Sequence, residues 1–341
     1  MWQAKLSDTW QFCKKQTFRK LWNGILLLLS FQLSRLSKRP RIWGMPASIS
    51  MEPTTSCNLR CPECPSGLRS FTRPTGMLEK ERFARMLNEL APTLSYLTFY
   101  FQGEPYLNPS FLEMVEMAHR KNIYTATSTN AHYLSTEVAE KTVRSGLDRL
   151  IISIDGTTQD TYQAYRVGGH LEKVIAGTKE ILAAKKRLKS QTPYVIFQFL
   201  VVKPNEHQIA DVYRLADELG VDEVKLKTAQ IYDYEMGSPL IPTQNQYSRY
   251  EKLEDGSYAI KNKMLDQCWR MWHSCVITWN GSIVPCCFDK DAHHVLGSME
   301  QDSFRQIWQG DAYRGFRQQL IHARKEIDMC KNCTEGTKVW A

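Results

Sequence analysis

The chain has 341 residues, ordinary apolar content (43%) and no low-complexity tract, enough for one large domain or two with a substantial core. Its net charge of +8 is uneven: residues 1–45 hold Lys5, Lys14, Lys15, Arg19, Lys20, Arg35, Lys38, Arg39 and Arg41 against Asp8 alone, leaving 35 charges of each sign elsewhere. Ten cysteines at short, ligand-like spacings, without a cleavable signal peptide, argue against a disulfide scaffold and for metal-bound thiolates in a reducing cytosol.

Residues 1–45 form a basic amphipathic leader. Trp22, Leu26, Leu29, Leu33 and Leu36 recur at helical spacing, and Ile25, Leu27, Leu28 and Phe31 widen the apolar face. The uninterrupted apolar run is far shorter than the roughly 20 residues of a membrane span. Ser30, Gln32 and Ser34 arrive too soon for a signal anchor. Two readings stay open: an interfacial helix on anionic lipid, or a helix packed on the body or on a partner protein.

From residue 46 the pattern is strand, loop, helix, repeated. Strands are expected at Ala47–Met51, Tyr96–Tyr100, Tyr124–Ser128, Arg149–Ile154, Tyr194–Val202 and Glu223–Thr228. Helices are expected between them at Leu78–Leu90, Ser110–Lys121, Thr136–Ser145 (N-capped by Thr136), Leu171–Leu188 and Glu206–Leu219. Six such units predict an α/β fold, an open partial barrel with its chemistry at the C-terminal strand ends. Tyr232 to Asn262 reads as a connection, with a hairpin turn at Asp255-Gly256. Six cysteines lie beyond it: Cys268, Cys275, Cys286, Cys287, Cys330 and Cys333.

The loop after the first strand reads Cys57-Asn58-Leu59-Arg60-Cys61-Pro62-Glu63-Cys64. Three thiolates from one short loop hold three corners of an iron–sulfur cube and leave the fourth iron open. A zinc site would want a fourth ligand close by. This C-x3-C-x2-C spacing after the first strand of a six-unit β/α chain resembles the signature of the radical SAM superfamily. The resemblance implies a [4Fe–4S] cluster on Cys57, Cys61 and Cys64 that chelates S-adenosylmethionine (SAM). It also implies reductive cleavage of SAM to methionine and a 5′-deoxyadenosyl radical, which abstracts a substrate hydrogen.

Other strand ends carry the resemblance further. Gln102-Gly103-Glu104-Pro105 is similar to the family's GGEP motif, with Gln for the first Gly, and implies a site for the SAM ammonium group. Ser128-Thr129-Asn130 is similar to its TNG position, with Ala131 for Gly. Ser153 and Asp155 end the fourth strand, with groups suited to a ribose or an amino-acid moiety. Arg166 matches the arginine that pairs with the SAM carboxylate, and Gln198 is placed to face the adenosine. The chain departs from the family at Glu63, where an aromatic residue near the adenine is common.

Cys268, Gly281, Cys286 and the Cys330-x2-Cys333 pair resemble a SPASM domain, up to residue 336. The chain lacks the further cysteines of a full SPASM domain after that pair. Four ligands imply one auxiliary [4Fe–4S] cluster of the shortened "twitch" type, suited to electron transfer. Cys275 and Cys287 remain over; packed thiols are the favoured reading, with either able to replace a neighbour as ligand. Asp289 is a candidate base for a substrate radical, against the plainer reading of a surface turn.

The expectation is therefore a partial (β/α)6 TIM-like barrel (46–235) and a small cysteine-rich SPASM/twitch domain (263–341). A connection (236–262) joins them, and a basic amphipathic N-terminal helix (1–45) precedes them. The expected activity is a two-electron oxidation with the auxiliary cluster as electron acceptor. A redox-neutral epimerisation or bond formation and a non-catalytic metal-binding scaffold are the rivals. The expected partners are a small-molecule, peptide or lipid-linked substrate and a reductant such as flavodoxin or ferredoxin. The neutral body argues against nucleic acid. A cytoplasmic location is expected, peripheral to the membrane if the leader binds it.

Overall fold

The computed structural model describes residues 2–333, so the last eight residues of the expected 263–341 segment lie outside the described residues. Two helices come first, α1 (Trp2–Lys14) and α2 (Phe18–Ser37). Then β1 (Ser48–Met51) leads to α3 (Pro65–Leu68) and α4 (Lys80–Leu90), and β2 (Tyr96–Thr98) to α5 (Phe111–Arg120). Next come β3 (Tyr124–Thr129) with α6 (Thr136–Arg144), and β4 (Arg149–Ser153) with α7 (Gln159–Tyr165) and α8 (Leu171–Arg187). β5 (Tyr194–Val201), α9 (Ile209–Leu219) and β6 (Glu223–Thr228) complete the repeat. A separate hairpin, β7 (Tyr250–Lys252) and β8 (Tyr258–Ile260), turns at Asp255-Gly256. The C-terminal region is α10 (Arg270–His273), β9 (Ser274–Ile277), β10 (Ser282–Val284), β11 (Gly297–Ser298), α11 (Phe304–Gln309), α12 (Asp311–Ala323) and α13 (Asp328–Lys331).

Strands β1 to β6 are all parallel and lie in chain order across one sheet. A parallel sheet is covered on both faces, so its strands carry apolar residues almost continuously. Ile49, Leu97, Leu150, Ile152, Val195, Phe197 and Phe199 are fully buried. The apolar stripes of α4 (Phe83, Met86, Leu87, Leu90) and α5 (Phe111, Met114, Val115, Ala118) pack on them. Burying each large side chain stabilises the fold by about 1.5–3 kcal/mol.

Three features differ from the sequence expectation. The cap of α6 is Ser135, whose hydroxyl accepts from Val138 N at 3.3 Å; Thr136 is the first helical residue. The cysteine-rich region extends the barrel sheet, because β9 pairs in parallel with β1, Ser48 lying opposite Ser274. β10 then folds back antiparallel through Trp279-Asn280-Gly281, with Gly281 at φ +86°.

The third difference is the leader, which is two helices docked by their polar side chains. Lys15 reaches Asp148 at 2.5 Å, and Asp8 binds Tyr124 and Arg149. The Lys20 ammonium donates to Asn122 O at 2.6 Å, and Asn23 exchanges two hydrogen bonds with the Met45 backbone. Ser34 bonds the Arg41 backbone. Asn122, Asp148 and Ser95, which Gln16 reaches at 2.8 Å, immediately precede or nearly precede β3, β4 and β2. The leader therefore closes the end of the barrel where the strands begin.

Candidate active site

The loop from β1 to α3 turns tightly at the opposite end of the barrel. Arg60 N donates to Val167 O at 2.9 Å, and Leu68 N to Cys64 O at 2.8 Å. Gly67 lies so close to Cys61 that an added Cβ would stand 2.6 Å from its nitrogen. Cys57, Cys61 and Cys64 consequently line one cavity of ≈ 280 Å³. Ser66, Gln102, Gly103, Glu104, Ser128, Asn130, Ser153, Arg166 and Gln198 line it too.

None of the ten cysteines is in a disulfide. Burial pushes the Cys57 thiol up to about 12, and raises Cys61 although the Arg166 guanidinium stands 3.8 Å from its sulfur. Such thiols stay protonated in the apoprotein; metal coordination removes the protons. Three thiols from one loop facing one cavity are the donor set that fits a cluster with one open iron.

Glu104 is 2% exposed. Its carboxylate accepts from Thr129 Oγ1 at 2.7 Å, Asn130 N at 2.8 Å and Tyr106 N at 3.3 Å. Even so, burial raises its pKa to about 7. A carboxylate this dry, beside an open cavity, gains most from a fixed cation. Gly103 makes the approach to it: φ is +75°, and an added Cβ would meet Thr54 O at 2.2 Å.

Ser128 and Ser153 place their hydroxyls 3.4 Å apart on neighbouring strands. Asn130 donates its amide to Asn58 at 2.8 Å, which ties the strand-three end to the cysteine loop. Ala131 sits at φ +61°, so the glycine-like turn is kept with a Cβ in place. Gln198, on β5, lines the cavity.

Asp155 departs from its expected role. It is fully buried and absent from the cavity wall. It accepts from Arg166 Nε at 2.5 Å and from Leu200 N at 2.7 Å. Asp155 orients the arginine, and Arg166 presents its remaining guanidinium nitrogens toward the cavity and Cys61.

Asp289 is not on the cavity wall either. Both carboxylate oxygens accept backbone N–H groups, from His293 at 2.8 Å and His294 at 2.9 Å, and the residue lines a separate recess. The wall there is instead Lys290, whose ammonium lies 4.6 Å from the Tyr232 ring and is lowered in pKa by burial. Glu63 faces the same wall and accepts from Tyr232 N at 3.0 Å. Tyr100, Phe101 and Tyr165 supply the cavity's aromatic surface. Lys290, Tyr100, Phe101 and Tyr165 were missed because no local pattern marks them.

In the C-terminal region Arg324 stands amid Cys268, Cys330 and Cys333, with Cys333 Sγ 3.3 Å from a guanidinium nitrogen. The hydrogen bond with the neighbouring Cys287 side chain, together with burial, raises the Cys286 thiol well above its ordinary value, and Cys268 lies near enough to add to the rise. Burial pushes Cys330 up to about 12. Cys287 hydrogen-bonds the Cys286 side chain, and that bond, with Arg270 and Lys290 nearby, lowers its pKa against burial. Cys275 is packed on β9 beside Tyr313 and Arg317.

The family model of the radical SAM superfamily matches residues 51–216, and that of the SPASM iron–sulfur cluster-binding domain matches residues 268–334. The chain belongs to the radical SAM superfamily and carries a SPASM region. It is 27% identical over 258 residues to the PqqA peptide cyclase of Gluconobacter oxydans, across 71% of this chain and 70% of that protein. Over 317 residues it is 25% identical to a tungsten-containing aldehyde ferredoxin oxidoreductase cofactor-modifying protein of Pyrococcus furiosus, across 83% and 86%. Its fold is similar to that of Streptococcus suis SuiB bound to S-adenosylmethionine, with a TM-score of 0.63 and 15% identity over 84% of this chain and 70% of that one. The cofactors are accordingly SAM and [4Fe–4S] clusters.

Proposed function

We propose that this enzyme uses a SAM-derived radical to oxidise a side chain of a peptide substrate by two electrons. The observation that carries the reading is the convergence of groups from the C-terminal ends of β1 to β5 on one cavity. Cys57, Cys61 and Cys64 would hold the SAM-binding cluster, Glu104 the SAM ammonium, and Arg166, aimed by Asp155, its carboxylate. Ser128, Asn130, Ser153 and Gln198 are placed for the ribose and adenine. When bound, the cluster and SAM supply a 5′-deoxyadenosyl radical that takes a hydrogen atom from the substrate.

Cys268, Cys286, Cys330 and Cys333 would hold one auxiliary [4Fe–4S] cluster, four thiolates closing its coordination. It would accept the electron left when the substrate radical loses a proton. The peptide substrate class is supported by the relative named a peptide cyclase and by a SuiB structure with its precursor peptide SuiA. The cyclase also supports a second reading, in which the substrate radical closes a bond within the peptide.

Anaerobic reconstitution should load about eight irons, two clusters of four. With dithionite and SAM the protein should release 5′-deoxyadenosine, and Cys57→Ala should abolish the release. Bound zinc with no SAM cleavage would overturn the assignment.

A further inference from the structure

The face that α2 turns outward is the wrong one for an ordinary surface helix. Such helices bury their apolar stripe and expose their polar one. Here the buried face is Lys20, Asn23, Leu27, Ser30 and Ser34. The side chains facing outward are Phe18 (82% exposed), Leu21, Trp22, Ile25, Leu28, Leu29, Leu33 and Leu36 (76% exposed). At 100° per residue they span about 140° of the helix. Their exposed surface is on the order of 800 Å², beyond the largest patch of a typical monomer.

The helix has no freedom to roll this face inward. Lys20 and Asn23 are tied to backbone carbonyls by bonds of 2.6 and 2.7 Å, and Ser34 is bonded to the Arg41 backbone. On the inner side Phe31 packs edge-on against Trp269 and Trp272, each at 5.3 Å. Turning the helix would break these hydrogen bonds and leave their backbone partners unsatisfied.

Charge surrounds the apolar face at both ends. Lys14 and Arg19 flank its start; Arg35, Lys38 and Arg39 flank its finish, and all five are exposed. The leader's single acid, Asp8, is already engaged with Tyr124 and Arg149. Trp10, 60% exposed on α1, adds an interfacial indole beside Lys14. Among the described residues no helix is long and apolar enough to cross a membrane.

We propose that α2 is a monotopic docking helix that seats this apolar face in the interface of an anionic phospholipid bilayer. An apolar stripe with an aromatic anchor and a cationic rim is what such an interface binds. A second copy fits worse: with both helix ends basic, pairing in either direction sets Lys and Arg against Lys and Arg.

The test is co-sedimentation of the full-length reconstituted enzyme with phosphatidylcholine vesicles, with and without about 30 mol % phosphatidylserine. Binding should be at least about tenfold stronger with phosphatidylserine and fall steeply between ~0.1 and ~0.5 M salt. Trp22→Ser/Leu29→Ser, which leaves the inward face intact, should abolish pelleting while the melting temperature and SAM cleavage stay unchanged. No pelleting of the wild type overturns the proposal. So does a dimer by analytical ultracentrifugation that this variant converts to monomer without changing vesicle binding. Should the variant misfold, Lys14→Glu/Arg39→Glu tests the same surface, and undiminished binding to anionic vesicles then refutes it.

Discussion

Glu104→Gln isolates the electrostatics of the SAM pocket. In the SAM-free protein the Glu104 carboxyl titrates at about 7, because burial outweighs its three hydrogen bonds. At about pH 6 roughly a tenth of the molecules carry the carboxylate; at about pH 7.5, roughly three-quarters do. If the SAM ammonium requires the carboxylate, affinity should rise about eightfold between these values. Glu104→Gln should flatten that rise and weaken binding at about pH 7.5 by about 2 kcal/mol, roughly 30-fold, as for a buried charge-assisted hydrogen bond. Fold stability responds with the opposite sign. A carboxyl whose folded pKa exceeds its unfolded value of about 4.5 stabilises the fold fully below that value, and the contribution is lost as pH rises through about 7. The shift is worth about 3 kcal/mol, so the SAM-free wild type should lose stability across this window and the variant should not. Equilibrium dialysis of SAM with the anaerobically reconstituted protein, with parallel urea titrations, reads both. Equal wild-type affinity at the two pH values, or the same slope in the variant, would refute the reasoning.

Asp148→Asn should cost about 3–5 kcal/mol in urea unfolding, because it strands the buried Lys15 ammonium now 2.5 Å from the carboxylate; the paired Lys15→Met/Asp148→Leu change should cost less, and a single-variant loss below about 1 kcal/mol would show that this pair does not dock the leader. Cys330→Ser should lower bound iron from about eight to about four while 5′-deoxyadenosine release persists; iron that stays near eight would remove Cys330 from the ligand set. Gly103→Ala should lower the melting temperature and weaken SAM binding together, since the new Cβ would stand 2.2 Å from Thr54 O at a φ of +75°; wild-type values for both would mean that the loop adopts another path.

What was legible in the sequence followed from local periodicity. Six apolar strands alternating with helices sufficed for the order of β1 to β6, and each motif at a strand end could be placed because parallel units put those ends together. What was not legible depends on partners distant in the chain. Asp155 reads as a ligand-facing acid until the fold brings Arg166 and the Leu200 amide onto its two oxygens. Lys290 enters the cavity because β9 joins the sheet beside β1, a pairing across more than two hundred residues that no pattern announces. The apolar stripe of α2 was evident, but its orientation was not. Hydrophobicity alone turns it inward; the specific carbonyls offered to Lys20 and Asn23 turn it out.

On the proposal above, the two ends of the barrel would carry separate tasks. The leader binds residues at or just before the starts of β2, β3 and β4, while the cysteine loop, Glu104, Asn130 and Ser153 stand where strands end. A bilayer under α2 would lie at the leader's end of the barrel, and the SAM cavity would open from the other. An acyl chain buried in that bilayer could not reach the radical without leaving it. A peptide arriving from water could. Docking at that end would therefore favour a peptide over a membrane-embedded lipid as the substrate. Its physical effect would be to confine the enzyme to a surface and raise its encounter rate with partners held there, while leaving the choice of hydrogen atom to the cavity lined by Tyr100, Phe101 and Lys290.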